Sequence, residues 1–304
     1  MNINVIFKTR AKWEFDWLNE IFFSSDRFSF SFKDRDFVGP NSIIVTDNPT
    51  INLFDGHIKQ QKDFILINLK DEFLPSKQDL SIYNSKYCKY IFRNYFHEDF
   101  SQKNLTAFPL GYKNEFWKGY TSDEKLNAQY NNDRKYMWSF AGTAKKSGRN
   151  KTISKLSSLK PNHLHEISFW DAPESLNATE YRDLILDSHF IPSFRGNANL
   201  ECYRTYEALE AGALPLAQRF SHLQKYDLYN AWYKDNPLLL IDDIGKGDSY
   251  KAECSNQAYD TIDFYIKNKD SLSDLRKKTL DWWISYKERL KTKAYNTYEE
   301  VFKA

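Results

Sequence analysis

The chain has 304 residues, of which 41% are hydrophobic and 28% are charged, an ordinary composition for a globular protein. Its formal net charge is +2, which gives no sign of the basic surface that a nucleic-acid partner requires. Its three cysteines have no paired spacing, which indicates a reducing compartment and excludes a disulfide framework or a cysteine metal motif. The length suits two domains of about 150 residues each.

We expect no targeting segment among the first residues of the sequence. Residues 1–8 are too short for a signal peptide and lead into a charged stretch, and no apolar run approaches the roughly 18 residues of a membrane span. We therefore expect a cytoplasmic protein that contacts the inner face of a membrane only peripherally.

The first part of the chain alternates apolar strands with helical segments, which is typical of an open α/β sheet. The hydrophobic periodicity predicts a helix at 13–23. Strands are predicted at 3–7, 28–32, 43–46, 64–68, 90–92 and 105–110.

Two loops that follow these strands carry candidate chemistry. Asp71 and Glu72 come just after the strand at 64–68, where open α/β sheets bind ligands, and a carboxylate there can act as a general base. We prefer Glu72; the alternative is that both carboxylates cap the next helix and face water. After the strand at 90–92, Arg93 suits a diphosphate or an acceptor group, and His97 is the other candidate base, although a lone histidine is more often structural.

The polar segment 111–134 is the best linker in the chain, because it is rich in Gly, Asn, Asp and Ser. It places a domain boundary near residue 130 and predicts domains at 1–130 and 131–304. Lys113 within it is a candidate for contact with an acceptor or a diphosphate.

The second half restarts with a strand at 135–141 and a glycine-containing basic turn. The turn lacks the spacing of a P-loop, but its backbone N–H groups and positive charge suit a phosphate group, with Gly142, Thr143 and Arg149 as candidates. The alternative is a solvated basic turn. A further strand is predicted at 165–170. Trp170 and Asp171, where this strand meets the next loop, are candidates for holding a nucleobase.

Residues 186–218 form the most informative stretch. They predict a strand at 189–193, a loop at 194–199, a helix at 200–211 and a strand at 214–217, which is the repeating unit of a parallel sheet. Asn199 is the predicted N-cap of the helix. The helix N-terminus and the loop residues Arg195 and Gly196 suit a phosphate.

Arg204 and Glu207 are three residues apart on that helix and share a face distinct from its apolar one. A carboxylate beside a phosphate site can accept hydrogen bonds from ribose hydroxyls. The alternative is an ordinary ion pair on the surface.

The end of the chain is helical. A strand at 238–241 leads to Asp242 and Asp243, which lack a third carboxylate, so we predict no obligatory metal. Helices are predicted at 259–266 and 271–302. The last one is long enough to pack back on the first domain, although its basic and aromatic side chains also suit a membrane surface.

One pattern runs through the stretch 186–218 and consists of Pro192, Gly196, Arg204, Tyr206, Glu207, Ala208, Leu209, Ala211, Gly212, Ala213 and Pro215. It resembles the donor-nucleotide segment of the exostosin-like glycosyltransferases, and within them the ribitol-5-phosphate xylosyltransferase type. The segments 92–96, 109–117 and 138–142 add to the likeness, which extends from near residue 65 to near residue 243.

This resemblance implies an α/β fold of the GT-B type, with two Rossmann-like domains facing across a cleft and long C-terminal helices. The N-terminal domain would bind the acceptor and the C-terminal domain the nucleotide. Glu207 would fix the ribose, while Arg195, Arg204 and the helix N-terminus would stabilise the leaving diphosphate without a metal or other cofactor. The remaining donor-binding candidates are Gly142, Thr143, Arg149, Gly196 and Asn199.

The implied reaction is an inverting transfer from a nucleotide-diphosphate sugar, a UDP-sugar such as UDP-xylose. Without a leader segment, we expect a bacterial enzyme that acts on a glycan or glycolipid acceptor of capsule, lipopolysaccharide or another surface polysaccharide. Two alternatives are a transferase with a CMP-sugar or CDP-polyol donor and a nucleotide-binding protein that has lost catalysis.

Overall fold

The chain divides into two compact units in a computed structural model. The first unit comprises Met1–Leu110 and Tyr286–Ala304, and the second comprises Gly111–Ser285. The structure describes residues 1–9, 13–69, 81–95, 97, 100, 102–145, 149–169, 171–196, 199–220, 226–242 and 252–303, with side chains from 256 onward in the last range.

The first unit is built on a parallel sheet in the order β2-β1-β3-β4-β5-β6. Its central strands β3 and β4 are buried along their whole length, as expected for a parallel sheet covered on both faces. The strands are β1 (Asn2–Phe7), β2 (Ser29–Lys33), β3 (Ser42–Thr46), β4 (Phe64–Asn68), β5 (Cys88–Arg93) and β6 (Leu105–Ala107). The helical segments are α1 (Phe15–Leu18), a π-helical turn (Asn19–Phe23), a 3-10 turn (Ile51–Phe54), α2 (Asp55–Lys59) and a second 3-10 turn (Ser81–Asn84).

The end of the chain also belongs to the first unit. Lys287 Nζ lies 2.7 Å from Glu20 Oε1, and Tyr298 Oη donates to Phe22 O at 3.3 Å. The ring of Phe28 lies 5.8 Å from that of Tyr298. These contacts bind the last turns of the terminal helix to the residues that follow β1.

The second unit has a parallel sheet in the order β11-β10-β9-β7-β8. Because the strands are parallel, the loops after β7, β8 and β9 leave from the same edge of the sheet. The strands are β7 (Tyr136–Gly142), β8 (Asn162–Glu166), β9 (Ser188–Ser193), β10 (Leu214–Gln218) and β11 (Leu239–Ile241). The helices are α3 (Ser122–Tyr130), α4 (Arg149–Leu156), α5 (Ala178–Leu186), α6 (Tyr203–Glu210), α7 (Leu228–Trp232), α8 (Ala252–Lys267) and α9 (Lys269–Phe302), and α9 belongs to this unit as far as Ser285.

The segment 111–134, predicted as a linker, is part of the second unit. It contains α3, which starts at a capping box between Thr121 and Glu124. Gln129 Nε2 donates to Glu210 O at 2.5 Å, and Trp117 Nε1 donates to Glu210 Oε1 at 3.0 Å. The units therefore separate at Leu110 and not near residue 130, because these polar residues satisfy hydrogen bonds at the end of α6.

The strand predicted at 165–170 lies earlier in the sequence than predicted. The strand is β8, which ends at Glu166, and Ile167 N donates to Gly142 O at 3.3 Å just beyond it. β8 pairs only with β7 in the described sheet and carries polar side chains, so its sequence lacks a buried apolar run. Asp171 consequently lies in the β8–α5 loop.

Candidate functional site

The loop between β9 and α6 is shaped by Asn199. Its backbone oxygen accepts from Gly196 N at 3.0 Å, and its side-chain Oδ1 accepts from Glu201 N at 2.9 Å. Its Nδ2 is buried and has no hydrogen-bond partner among the described residues. The helix starts later than predicted, with Cys202 at the N-cap and no side-chain capping bond, so Asn199 organises the loop instead of capping α6.

Arg204 is turned toward the end of β7. Its Nη2 donates to Ala141 O at 3.0 Å, and its guanidinium lies 4.5 Å from the ring centroid of Phe140. Its charge also acts on the Tyr181 hydroxyl, whose pKa it lowers against the larger, opposite effect of burial. Its Nε is buried without a hydrogen-bond partner in the part of the chain that is described.

Gly142 makes room for this guanidinium. It has a φ of +145°, and a Cβ there would lie 2.7 Å from Arg204 Nη2. A side chain at this position would strain the backbone and displace the guanidinium. The structure thus gives Gly142 a specific reason to be glycine.

Glu207 is only 3% exposed, so it is not part of a surface ion pair. Burial raises the pKa of its carboxyl to about 7, although the charges of Lys113 and Arg204 and the backbone N–H of Lys113 act in the opposite direction. A buried carboxylate near neutral pKa, flanked by two cations, is the kind of perturbed group found at functional sites.

Lys113 lies beside Glu207 and not in the first unit. Its Nζ is 3.7 Å from Asp171 Oδ1, and its backbone N–H hydrogen-bonds the Glu207 carboxylate. Asp171 has a φ of +55° in the loop after β8. Lys113 therefore connects α6 with the β8–α5 loop; Trp170 lies outside the described residues.

Arg149 connects the two remaining loops of this edge. Its Nη2 donates to Arg195 O at 2.6 Å and its Nη1 donates to Thr143 O at 3.3 Å. Arg195 N donates to Gln218 Oε1 at 3.4 Å, at the end of β10. The structure thus brings the predicted donor-binding residues together at the carboxyl edge of the second sheet: Gly142, Thr143, Arg149, Arg195, Gly196, Asn199, Arg204 and Glu207.

The remaining candidates, which are Arg93, His97, Asp71 and Glu72, belong to the first unit. Arg93 is 1% exposed, donates from Nη1 to Tyr83 Oη at 3.2 Å, and lies 3.9 Å from the ring centroid of Phe100. Asn68 Nδ2 also donates to Tyr83 Oη, at 2.7 Å. The ring of His97 lies 6.0 Å from that of Phe100. Asp71 and Glu72 lie outside the described residues, so the choice of base stays a prediction.

Sequence reasoning missed three side chains of this region. The Arg204 charge acts on the hydroxyl of Tyr181. Glu201 is 1% exposed and accepts from Tyr206 Oη at 2.7 Å. Glu210 is fully buried and accepts from Trp283 Nε1 at 2.8 Å. The repeated acidic and aromatic residues of ECYRTYEALE were the available signal, because a surface helix seldom combines them so densely.

Among the described residues, no group of three or more His, Cys, Asp or Glu side chains is arranged to bind a metal ion. Asp242 Oδ1 pairs with Arg219 Nη1 at 2.9 Å, and Asp243 lies outside those ranges. Of the helices that the structure describes, none has the length and apolarity to span a membrane.

Two parallel α/β units of this kind occur in solved structures. Anabaena Alr3699/HepE in complex with UDP matches with a TM-score of 0.58 and 9% identity, over 99% of this chain and 100% of that chain. The structure of its complex with UDP and glucose matches with a TM-score of 0.57 and 10% identity, over 98% of this chain and 100% of that chain. The structure of an alpha1,3-fucosyltransferase matches with a TM-score of 0.49 and 10% identity, over 91% of this chain and 82% of that chain. Comparison with curated proteins gives no match.

The two-unit fold is of the GT-B type, and the family match given next makes the chain a nucleotide-sugar-dependent glycosyltransferase. Residues 117–303 match the family described as the RXYLT1 C-terminal domain, and the chain belongs to this family. The predicted membership of the exostosin-like glycosyltransferases and the predicted fold type are thereby confirmed.

Proposed function

We propose that the chain transfers a sugar, with inversion, from a UDP-sugar bound by the second unit to a hydroxyl of a bacterial surface glycan. The observation that carries the proposal is the buried Glu207 carboxylate with Lys113 and Arg204 at the start of α6. The HepE structures, which contain UDP, support uracil as the base. The xylose donor is what the family resemblance stated above implies. The capsule or lipopolysaccharide acceptor is a separate expectation from the sequence and is part of the proposal.

Glu207 is proposed to bind the ribose. Its carboxylate is desolvated and held by the Lys113 backbone N–H, so its remaining acceptor positions have a fixed direction. The vicinal hydroxyls of a ribose can donate two hydrogen bonds to one carboxylate. Ionisation of the carboxylate strengthens both bonds, since charge-assisted hydrogen bonds are the stronger ones.

The diphosphate is proposed to lie against the turn at Gly142 and Thr143 and the loop at Arg195 and Gly196. These loops leave the sheet at neighbouring strands, and the N-terminus of α6 adds its partial positive charge. Arg149 holds both loops through their carbonyl oxygens. With backbone N–H groups and Arg195 to stabilise the leaving UDP, we propose that no metal is obligatory.

The first unit is proposed to bind the acceptor. The acceptor oxygen attacks the anomeric carbon, the bond from that carbon to the diphosphate oxygen breaks, and UDP leaves. Glu72 is the preferred base for the hydroxyl proton, with Asp71 and His97 as the other candidates. Arg93 is proposed to contact the acceptor or the diphosphate. We also propose that the reaction takes place in the cytoplasm, where the enzyme contacts the membrane only peripherally.

Calorimetric titration of the purified protein with UDP, CDP, CMP and GDP, each with and without EDTA, tests the proposal. Tight UDP binding that survives EDTA supports it. Preference for CMP or CDP favours a CMP-sugar or CDP-polyol donor, and binding of no nucleotide contradicts the proposed donor site.

A pair of variants locates the site. Glu207→Ala should abolish UDP binding, while Glu300→Ala, at an exposed position of α9, should bind UDP as the wild type does. Unchanged affinity in Glu207→Ala with an unchanged melting temperature would remove Glu207 from the ribose site.

A further inference from the structure

Arg149, the first residue of α4, joins the two loops against which the diphosphate is proposed to lie. Its Nη2 donates to Arg195 O at 2.6 Å, and its Nη1 donates to Thr143 O at 3.3 Å. The residue is only 7% exposed. One largely buried guanidinium therefore binds a carbonyl oxygen in the loop after β7 and another in the loop after β9.

The bond to Thr143 O also sets the direction of the next N–H group, which belongs to Ala144. This peptide is trans, so its N–H points opposite to its C=O and away from Arg149. Ala144 is 4% exposed and packs in the core of the second unit. Its N–H donates to no backbone oxygen among the described residues. A buried N–H needs an acceptor, and a phosphate oxygen would supply one.

The peptide group between Arg195 and Gly196 is held from both sides. Its C=O accepts from Arg149, and its N–H donates to Asn199 O at 3.0 Å. The N–H of Arg195 itself donates to Gln218 Oε1 at 3.4 Å. Arg149 is thus one of three residues that fix the backbone of this loop.

We propose that Arg149 is a positioning residue that makes the donor site selective for a nucleoside diphosphate over a monophosphate. β7 and β9 are neighbours in the sheet, so their loops start about 5 Å apart, which suits two linked phosphate groups. Arg149 holds each loop in the conformation that accepts one phosphate. This inference rests on the proposed function, since it concerns the same diphosphate site. It counts against a CMP-sugar donor, whose leaving group carries a single phosphate.

The physical reason is the polarity of the peptide groups. Backbone N–H groups attract a phosphate, whereas carbonyl oxygens repel it. The guanidinium binds one carbonyl of each loop and so fixes where these negative ends lie. Without it both carbonyls lose a donor, and rotation of the peptide groups toward other donors would redirect the N–H of Ala144. A lysine would keep the charge but place all its donors on one nitrogen, which cannot reproduce the contact with both loops.

The test is Arg149→Lys, titrated calorimetrically with UDP and with UMP. We expect UDP affinity to fall about tenfold, the effect of losing one hydrogen bond made by a charged group. UMP has one phosphate and needs only one loop, so its affinity should fall less and the preference for UDP should narrow. Arg149→Met should narrow the preference equally. The inference is wrong if the lysine variant keeps the wild-type preference, whether or not the methionine variant does.

The matched control is Arg182→Lys. Arg182 is 5% exposed and also binds two carbonyls of the second unit, since its Nη1 donates to Phe116 O at 3.1 Å and to Lys118 O at 3.0 Å. The control variant should lose stability and keep the wild-type preference for UDP over UMP. An equal narrowing in this control would trace the effect to general loss of stability and contradict the inference.

Gln218→Met decides the question if the Arg149 variants do not fold. It removes the acceptor of Arg195 N with little change in side-chain size, so the preference for UDP should narrow here as well. An unchanged preference in this variant would contradict the inference. If the wild type binds UDP and UMP equally, the inference is wrong while the UDP site stands. If the wild type binds no UDP, the proposed function itself fails.

Discussion

At the scale of single residues, Glu207 links donor binding to stability. Burial holds its pKa near 7 in the folded protein, above its ordinary value of 4.5. The folded state therefore favours the protonated form, and its stability falls as the pH rises from about 4.5 to about 7. A shift of this size corresponds to at most about 3 kcal/mol.

Glu207→Gln keeps the size of the side chain and removes this titration. We expect the variant to be more stable than the wild type at about pH 8, because the buried charge is gone, and to bind UDP more weakly. Denaturant unfolding at about pH 5 and about pH 8 measures the difference. The assignment fails if the wild type loses no more stability than the variant between these two conditions.

Gly142 allows backbone strain and steric conflict to be separated. In Gly142→Ala the new methyl group meets Arg204 Nη2 at a backbone φ of +145°. In Gly119→Ala the φ of +85° is also unfavourable, but nothing lies within 4 Å of the new atom. We expect Gly142→Ala to lose about 1–3 kcal/mol more stability than the control, and UDP affinity as well. Equal losses in the two variants would show that the Arg204 contact does not matter.

At the scale of elements, the position of α6 depends on two buried arginines at its end. Arg134 Nη2 donates to Ala211 O at 2.8 Å, and Arg276 Nε donates to Gly212 O at 3.0 Å. Arg134 Nη1 also donates to Ile185 O and Ser188 O, at 3.0 and 2.9 Å. Positive charge at a helix C-terminus is favourable, and the same groups satisfy carbonyls that the helix leaves open.

Arg134→Lys retains the charge but cannot reach all of these carbonyls. We expect a loss of about 2–4 kcal/mol in the free energy of unfolding, because several buried acceptors are left without donors. Arg289→Lys, at an exposed position of α9, should change stability by less than about 0.5 kcal/mol. A loss in Arg134→Lys as small as that in Arg289→Lys would show that the end of α6 does not depend on the several N–H donors of the Arg134 guanidinium.

The elements that the sequence predicted well are those with a simple burial pattern. β3, β4 and β10 are continuous apolar runs, and they lie within one or two residues of their predicted ends. β8 was displaced because an edge strand with the sequence NHLHE has no apolar run. The segment of α3 is predicted as a linker because its sequence is polar and has no hydrophobic face. The spacing of Thr121 and Glu124, which form a capping box, is a sequence signal for the start of this helix.

The site was less predictable than the fold. Spacing put Arg204 and Glu207 on one face of α6, but it could not show that this face is buried, because nearly all of the helix is enclosed. The electrostatic interactions of Glu207 with Lys113, and of Arg204 with Tyr181, involve segments that are far apart in the sequence. Such contacts depend on tertiary packing, which local pattern does not encode.

At the scale of the whole molecule, a histidine that burial keeps neutral lies among the described residues of each unit. His57 is fully buried on α2, and neither ring nitrogen has a hydrogen-bond partner within the described residues. Burial and then the Lys8 charge lower its pKa to about 4. In the second unit, burial and then the charges of Arg276, Arg134 and Lys269 lower the pKa of His189 to about 4.

The ordinary histidine pKa is 6.5, so the unfolded chain binds these protons before the folded protein does. Their contribution to stability is complete above about pH 6.5 and declines as the pH falls toward about 4. Glu207 has the opposite dependence in part of this range, since its protonated form is the stable one. The histidine effect is therefore best measured in the Glu207→Gln background.

In that background, His57→Phe and His189→Phe should each reduce the loss of stability on acidification, by up to about 1.4 kcal/mol per pH unit. Because the two residues lie in different units, the double variant should combine the two effects to within about 0.5 kcal/mol. Denaturant unfolding at several pH values, monitored by two probes, gives the slopes, with His163→Phe on the partly exposed edge strand β8 for comparison. If the slope of the double variant equals that of its parent, protonation of these histidines is not what limits the acid stability of either unit.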